Sequence, residues 1–410
     1  MALFLLVPVG RCSHCEAFTV YILQSHYNAI KHDWLNRAKS VELLWVPHRG
    51  PLLISAFLHN SITGDNVSMQ LKNALIGTTA LMALAAAQQV YAGPTLDAIK
   101  DRGQIRCGVN TGLAGFSIPD AQGNWTGLDV DVCRAIAAAV FGDANAVDFI
   151  PLNAQQRFTA LQSGEVDVLS RNTTWTLTRD ASLGLHFAPT TFYDGQGFMV
   201  PADLGVTSAL ELDGAEICVQ PGTTTELNLA DYFRANDMEF TAVVIEGFEQ
   251  SLDTFFSGRC QVYTTDVSGL AAIIANDAPD PDAYVILPEV ISKEPLGPAV
   301  RRGDDEWFAI AKWTVYAMIE AEEKGVTSEN ASEMRANSTD PTVQRLLGAS
   351  GNMGELLGLD QDWGYNIITQ VGNYGEVFER NVGPNTPLRL QRGDNDLWTR
   401  GGLMYAMPIR

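Results

Sequence analysis

From residue 95 onward, short apolar runs alternate with segments in which apolar side chains recur every three or four positions. The short runs predict strands at Ile105–Val109, Ala146–Pro151, Val166–Leu169, Glu216–Val219, Phe240–Ile245, Cys260–Thr264 and Val285–Leu287. Helices are predicted over Thr95–Asp101, Leu128–Phe141, from near Ala154, Glu226–Asn236, Phe248–Ser257, Val267–Asn276 and Trp307–Lys324. In Leu128–Phe141 the apolar face carries Val132, Ile136, Ala139 and Val140. Strands alternating with helices imply an α/β fold with doubly wound, mainly parallel sheets. The alternation runs through two similar cycles joined near FYDGQGFMV, so two lobes around a cleft are expected. Residues 93–199 and 297–410 would form the first lobe with a C-terminal extension, and 200–296 the second.

One stretch, LQSGEVDVLSRNTTWTLTR from Leu161 to Arg179, stands out chemically. It ends a helix, passes Gly164 and a buried strand, and enters a loop rich in small hydroxyls that closes on Arg179. Loops leaving the carboxyl ends of strands are where open α/β sheets bind ligands. A guanidinium presents a planar fork of donors suited to a carboxylate. The same residues also allow an ordinary strand exit with a surface pair between Arg179 and Asp180. In the second cycle, PGTTTE leads into a helix, and Thr223 and Glu226 have capping-box spacing.

Composition divides the chain. Five of the six histidines precede Met69, and acidic residues are concentrated after it. The net charge of −21 excludes nucleic acid as a natural partner. Met69 opens a basic start, an apolar run over Ala74–Ala87 and a small-residue end at Ala92. That is the pattern of a secretory signal peptide over residues 69–92, too short for a comfortable membrane span. Residues 1–68 are expected to be an over-extended reading frame. Cys12 and Cys15 within it lack a second pair at metal-ligand spacing, so neither a metal nor another cofactor is expected. Four cysteines follow the signal: Cys107, Cys133, Cys218 and Cys260. An even count in an exported chain suggests two disulfides, with three connectivities open and buried free thiols as the alternative. Proximity and lobe assignment favour Cys107 with Cys133 and Cys218 with Cys260.

Four ordered motifs, GNWTGLDVDVCRAIA, ALQSGEVDVLSRNTTWTLTRD, VQPGTTTE and YTTDVSGLAAI, resemble the extracytoplasmic solute-binding proteins of polar amino-acid ABC transporters. The tail NYGEVFERNVG…LWTRGGLMYAMPIR is similar to that of the general L-amino-acid-binding subfamily. The resemblance covers residues 93–410 and none of 1–68. It implies a two-lobed, flytrap-like periplasmic binding protein that captures L-amino acids and presents them to an inner-membrane permease, without catalysis and as a monomer.

Carried over residue by residue, it places the ligand α-carboxylate on Arg179, the Thr174 hydroxyl and a main-chain group of Asn172. Gly222, Thr223 and Thr224 at a helix N-terminus would serve the same group, and Asp266 the α-ammonium. Asn110 and Phe116 are candidates for the side-chain pocket, and Arg171 for an acidic ligand side chain. Leu113 stands where family members commonly place an aromatic. Closure is expected to bend strands near Phe198 and Leu296. The alternative on the same fold is an exported enzyme resembling cyclohexadienyl dehydratase, which steady turnover of arogenate or prephenate would reveal; a sensor domain is the third reading. Mass spectrometry of the natural mature protein should find Gly93 at its amino terminus, and a mature form containing His59 would overturn the assigned start.

Overall fold

The computed structural model describes residues 94–410 and two short strands, Phe4–Pro8 and Phe18–Ile22, that pair antiparallel. Residues 69–92, Cys12 and Cys15 lie outside the described residues. Gln89–Arg410 forms one compact unit.

That unit is built on two five-stranded sheets. In the first the order is Val147–Pro151, Ile105–Val109, Val168–Leu169, Ala299–Arg301, Leu185–Phe187. In the second it is Phe240–Val244, Ala215–Val219, Val262–Asp266, Gln196–Pro201, Tyr284–Ile286. Ile105–Val109 runs parallel to both neighbours, as Ala215–Val219 does to its own. Each sheet has one reversed strand, Ala299–Arg301 and Gln196–Pro201 respectively. Both reversed strands are the ones the chain enters on crossing from the other lobe. The crossing itself turns them around.

The two crossing segments, Phe192–Asp194 and Glu294–Leu296, pair antiparallel with Tyr193 opposite Pro295. This two-stranded ribbon is the hinge. It moves the expected lobe boundary from 199 to about Gly195, because Gln196–Pro201 already belongs to the second sheet. Phe198 therefore lies in the second lobe, fully buried against Phe233 and Tyr232, and not at the bend. Leu296 ends the second crossing segment, Glu294–Leu296.

Helix Leu128–Phe141 forms over the predicted residues. Gly142 ends it with φ 68°, a left-handed conformation that costs glycine nothing. Cys107, on the strand beneath, is joined to Cys133 on this helix, and Cys218 to Cys260, with Cα separations of 6.3 and 5.7 Å. Each closes a loop inside one lobe, a constraint on the unfolded chain of roughly 3–4 kcal/mol.

The long helix runs Asp305–Glu323 and packs on the first lobe as expected, its start capped by Asp304, which accepts the Trp307 N–H at 2.9 Å. The extension adds helices at Ala331–Asn337, Pro341–Leu346, Trp363–Gln370 and Tyr374–Asn381; the last two pack against both Leu128–Phe141 and Asp305–Glu323, Pro341–Leu346 against Asp305–Glu323, and Ala331–Asn337 against Trp363–Gln370. Trp363 and Phe378 are buried there. Trp398 is 48% exposed and donates its Nε1–H to Glu323 instead of entering the core.

Candidate functional site

The carboxyl ends of both parallel sheets face one cleft across the hinge. From the first lobe, Ile105–Val109 exits into Asn110, and Val168–Leu169 exits into the hydroxyl-rich loop. Its shape is set by a buried carboxylate on the adjacent helix: Asp129 accepts the Asn172 N–H at 2.7 Å and the Ser170 hydroxyl at 3.1 Å. Asn172 takes a left-handed φ of 33°, and its side-chain oxygen accepts from Asn110 at 3.0 Å. The main-chain N–H of Asn172 is thus spent on Asp129, while Asn172 lines the cleft. Burial pushes Asp129 up to about 6, against the stabilising Asn172 and Ser170 hydrogen bonds and the charge of Arg171.

The loop then turns into a short helix, Leu177–Ser182, not anticipated from its alternating threonines. Thr176 caps it by accepting the Arg179 N–H, so Arg179 sits in a first helical turn, 7% exposed. Its Nη1 donates to the Thr174 carbonyl at 3.0 Å, and its guanidinium lies 5.0 Å from the Phe158 ring centre. It makes no surface pair with Asp180, which binds Arg302.

Two other guanidiniums line the cleft, whereas Arg179, bonded to the carbonyl of the lining Thr174, is not itself among the lining residues. Arg171 donates Nε–H to the Leu152 carbonyl at 2.8 Å, and burial brings its pKa down to about 10. Arg157 is 3% exposed and lies 4.8 Å from the same Phe158 ring, with a long 3.4 Å contact to the Thr173 hydroxyl. Its Nε finds no hydrogen-bond partner among the described residues. Burial, then the charges of Arg171 and Arg179, hold it well below the ordinary arginine value.

The second lobe contributes a helix terminus and an acid. Gly222, with φ 72°, makes the turn before helix Thr224–Ala235. Thr223 is its N-cap, accepting the Glu226 N–H at 3.1 Å. The return bond of the expected capping box is displaced by one residue, because the Glu226 carboxylate reaches the Gly222 N–H. Thr223 and Thr224 both line the cleft. Asp266 closes strand Val262–Asp266 and precedes helix Val267–Asn276 without making a side-chain capping bond. Its carboxylate therefore remains in the cleft wall, 7% exposed. Burial, then the neighbouring Asp194 and Glu294, raise its pKa well above the usual carboxylate range, with Arg157 and Arg179 opposing.

Sequence reasoning missed Glu294 altogether. This hinge residue is 1% exposed; its Oε2 accepts hydroxyl protons from Thr174 of the first lobe and from Thr224 of the second, the latter at 2.9 Å. Asn228 and Ser292 donate to its other oxygen at 2.7 and 2.6 Å. The Thr174 and Thr224 hydroxyl oxygens lie 3.3 Å apart, so the lobes are closed on each other. No periodicity marks an isolated Glu before proline. Arg157 did leave a signal, a charge at the position that shares a helix face with Ala160 and Leu161.

Of the remaining expected residues, Asn110 lines the cleft and so does Leu113. Phe116 does not. It is 1% exposed and packs edge-on against Phe192 at 5.3 Å, a core residue whose apolar ring is better paid by burial than by facing a charged cleft.

Cations on one wall, an acid and a helix N-terminus on the other, and a hinge between them define a two-lobed binding protein for a small zwitterion. The sequence pattern of the bacterial extracellular solute-binding proteins, family 3, matches residues 105–329. The chain is 55% identical over 343 residues to the general L-amino acid-binding periplasmic protein AapJ of Rhizobium johnstonii, covering 83% of this chain and 99% of that one. It is 54% identical to the glutamate/glutamine/aspartate/asparagine-binding protein BztA of Rhodobacter capsulatus, with 83% and 99% coverage. Among solved structures, a periplasmic binding protein from Brucella ovis with glutathione bound superposes with a TM-score of 0.75 at 55% identity, covering 77% of this chain and 99% of that one. The chain belongs to solute-binding protein family 3.

Asp129 offers a direct test of how the loop is held. Its raised pKa means that the folded state binds its proton more tightly than the unfolded chain does. Its contribution to stability is greatest below the ordinary value near 4 and is lost as pH rises through about 6. Urea unfolding of the parent and Asp129→Asn should show the variant gaining on the parent by on the order of 2–3 kcal/mol between pH 4 and pH 7. A constant difference across that range would show that Asp129 is not held uncharged by burial.

Proposed function

We propose that this protein is the periplasmic amino-acid receptor of an ABC transporter, closing on its ligand and delivering it to an inner-membrane permease. The observation that carries this reading is the charge layout of the cleft. Arg179, bonded to the carbonyl of the lining Thr174, and the free N–H groups at Thr224 suit an α-carboxylate, and Asp266 suits an α-ammonium on the same carbon. Leu113, Phe248 and Asn110 leave mixed apolar and amide surroundings for a side chain. That mixture supports broad specificity, in line with relatives named for general L-amino-acid binding and for four acidic and amide amino acids.

Arg157 assigns the preference within that breadth. Its unpartnered Nε favours ligands whose far end carries a carboxylate or an amide oxygen, Arg171 adding positive potential beside it. A glutathione-bound relative fits the same logic, since its γ-glutamyl end offers an amino-acid head and its other end a second carboxylate. The protein acts without catalysis, and the relatives above, named as binding proteins, support this.

Ligand enters the open form and shifts the equilibrium toward closure only because it touches both lobes more fully when closed. Isothermal titration of the refolded, ligand-stripped protein against acidic, amide, basic and aliphatic L-amino acids should show tight binding across several classes. Silence from a folded sample would overturn the ligand class and direct attention to arogenate and prephenate turnover. Arg179→Ala should weaken every ligand by about 3 kcal/mol or more, because a buried carboxylate loses its partner. Arg157→Met should weaken L-glutamate and L-aspartate by about tenfold or more while sparing aliphatic ligands; equal losses for both classes would refute the division of labour between the two arginines.

A further inference from the structure

The C-terminal extension lies beyond the segment that matches the family pattern, yet it grips the hinge. Tyr193 stands opposite Pro295 in the two-stranded ribbon, and proline has no N–H to give. The Tyr193 N–H and C=O instead point away from the partner strand, as edge groups do. Asn395, 5% exposed and 202 residues further along, takes both: its Oδ1 accepts the Tyr193 N–H at 2.6 Å and its Nδ2 donates to the Tyr193 carbonyl at 3.0 Å. One side-chain amide thus serves as the third strand of the ribbon.

The flanking positions are held by the same extension. The Tyr374 hydroxyl donates to the Thr191 carbonyl at 2.9 Å, and the Phe378 ring stacks on Phe192 with centres 6.1 Å apart. Asn395 is itself fixed. Arg392 donates to its carbonyl at 3.0 Å, lies over the Tyr374 and Phe378 rings, and pairs with Glu322 on the long helix of the first lobe. The grip covers Thr191, Phe192 and Tyr193 and stops there. One residue further, past Asp194, comes Gly195, where an added Cβ would meet Val290 at 2.2 Å, so a residue without a side chain is required there.

We propose that the extension is a hinge brace: Asn395 is a positioning residue that clamps Tyr193 to the first lobe, confines bending to Asp194–Gly195 and so biases the protein toward its closed geometry. The inference rests on the binding-protein reading for its purpose, but its test needs no ligand. Spin labels placed at exposed Asp148 and Thr241 by a chemistry that does not use cysteine report the distance between the two sheets in the ligand-free protein. Asn395→Ala is expected to broaden that distribution and raise its open fraction by about threefold or more. Tyr374→Phe, which removes one hydroxyl and keeps the ring, is expected to move it the same way by less. An Asn395→Ala protein that folds and keeps the parent distribution overturns the brace. Should that variant not fold, an unchanged distribution for Tyr374→Phe overturns it. A changed distribution in a protein that binds no amino acid would retain the brace and reject the ligand class.

Discussion

Three guanidiniums buried in one lobe, two of them lining the cleft and Arg179 just beside it, cannot be left without negative charge, and the molecule is arranged around that requirement. Arg157, Arg171 and Arg179 all come from the first lobe, and burial lowers the pKa of each. The carboxylates that oppose them include Asp129 beside Arg171, Glu294 in the hinge and Asp266 in the second lobe. Compensation of charge therefore runs across the gap between lobes. Closing brings the opposite charges into a low-dielectric space where their attraction is stronger. A ligand carboxylate and ammonium placed among them completes a set of pairs that neither lobe makes alone.

Glu294 shows how the hinge takes part in that chemistry. Its carboxylate is fully used, by Thr174 from one lobe, Thr224 from the other, and Asn228 and Ser292. The threonine hydroxyl protons are committed to it, which leaves main-chain N–H groups at the helix terminus as the donors open to an anion. The same ribbon is gripped on its outer edge by the extension. Ligand chemistry at Glu294 and the brace at Tyr193 thus act on the two paired strands of one ribbon, Glu294–Leu296 and Phe192–Asp194.

Behind the cleft, ordinary packing holds the working groups in place. Asp129 shapes the loop that carries Asn172, Thr173 and Thr174. Each disulfide fixes a segment within its own lobe, and the hinge carries none. Rigid lobes joined by a ribbon suit a protein whose motion is a rotation of one half against the other.

The amino-acid sequence by itself determined the α/β alternation, helices such as Leu128–Phe141 and Val267–Asn276, and the two cycles. Those features are local: a hydrophobic period, a cap or a strand exit is written within a dozen residues. Tertiary structure alone decided the rest. Phe116 went to the core because Phe192 and Phe378, far away in the chain, build an aromatic stack beside it. Glu294 and Asn395 carry no pattern, since partners that define their roles, Thr224 for the first and Tyr193 for the second, lie 70 and 202 residues away. Buried polar groups are satisfied by whatever the fold brings within reach, and that reach is a property of three-dimensional closure rather than of spacing along the chain.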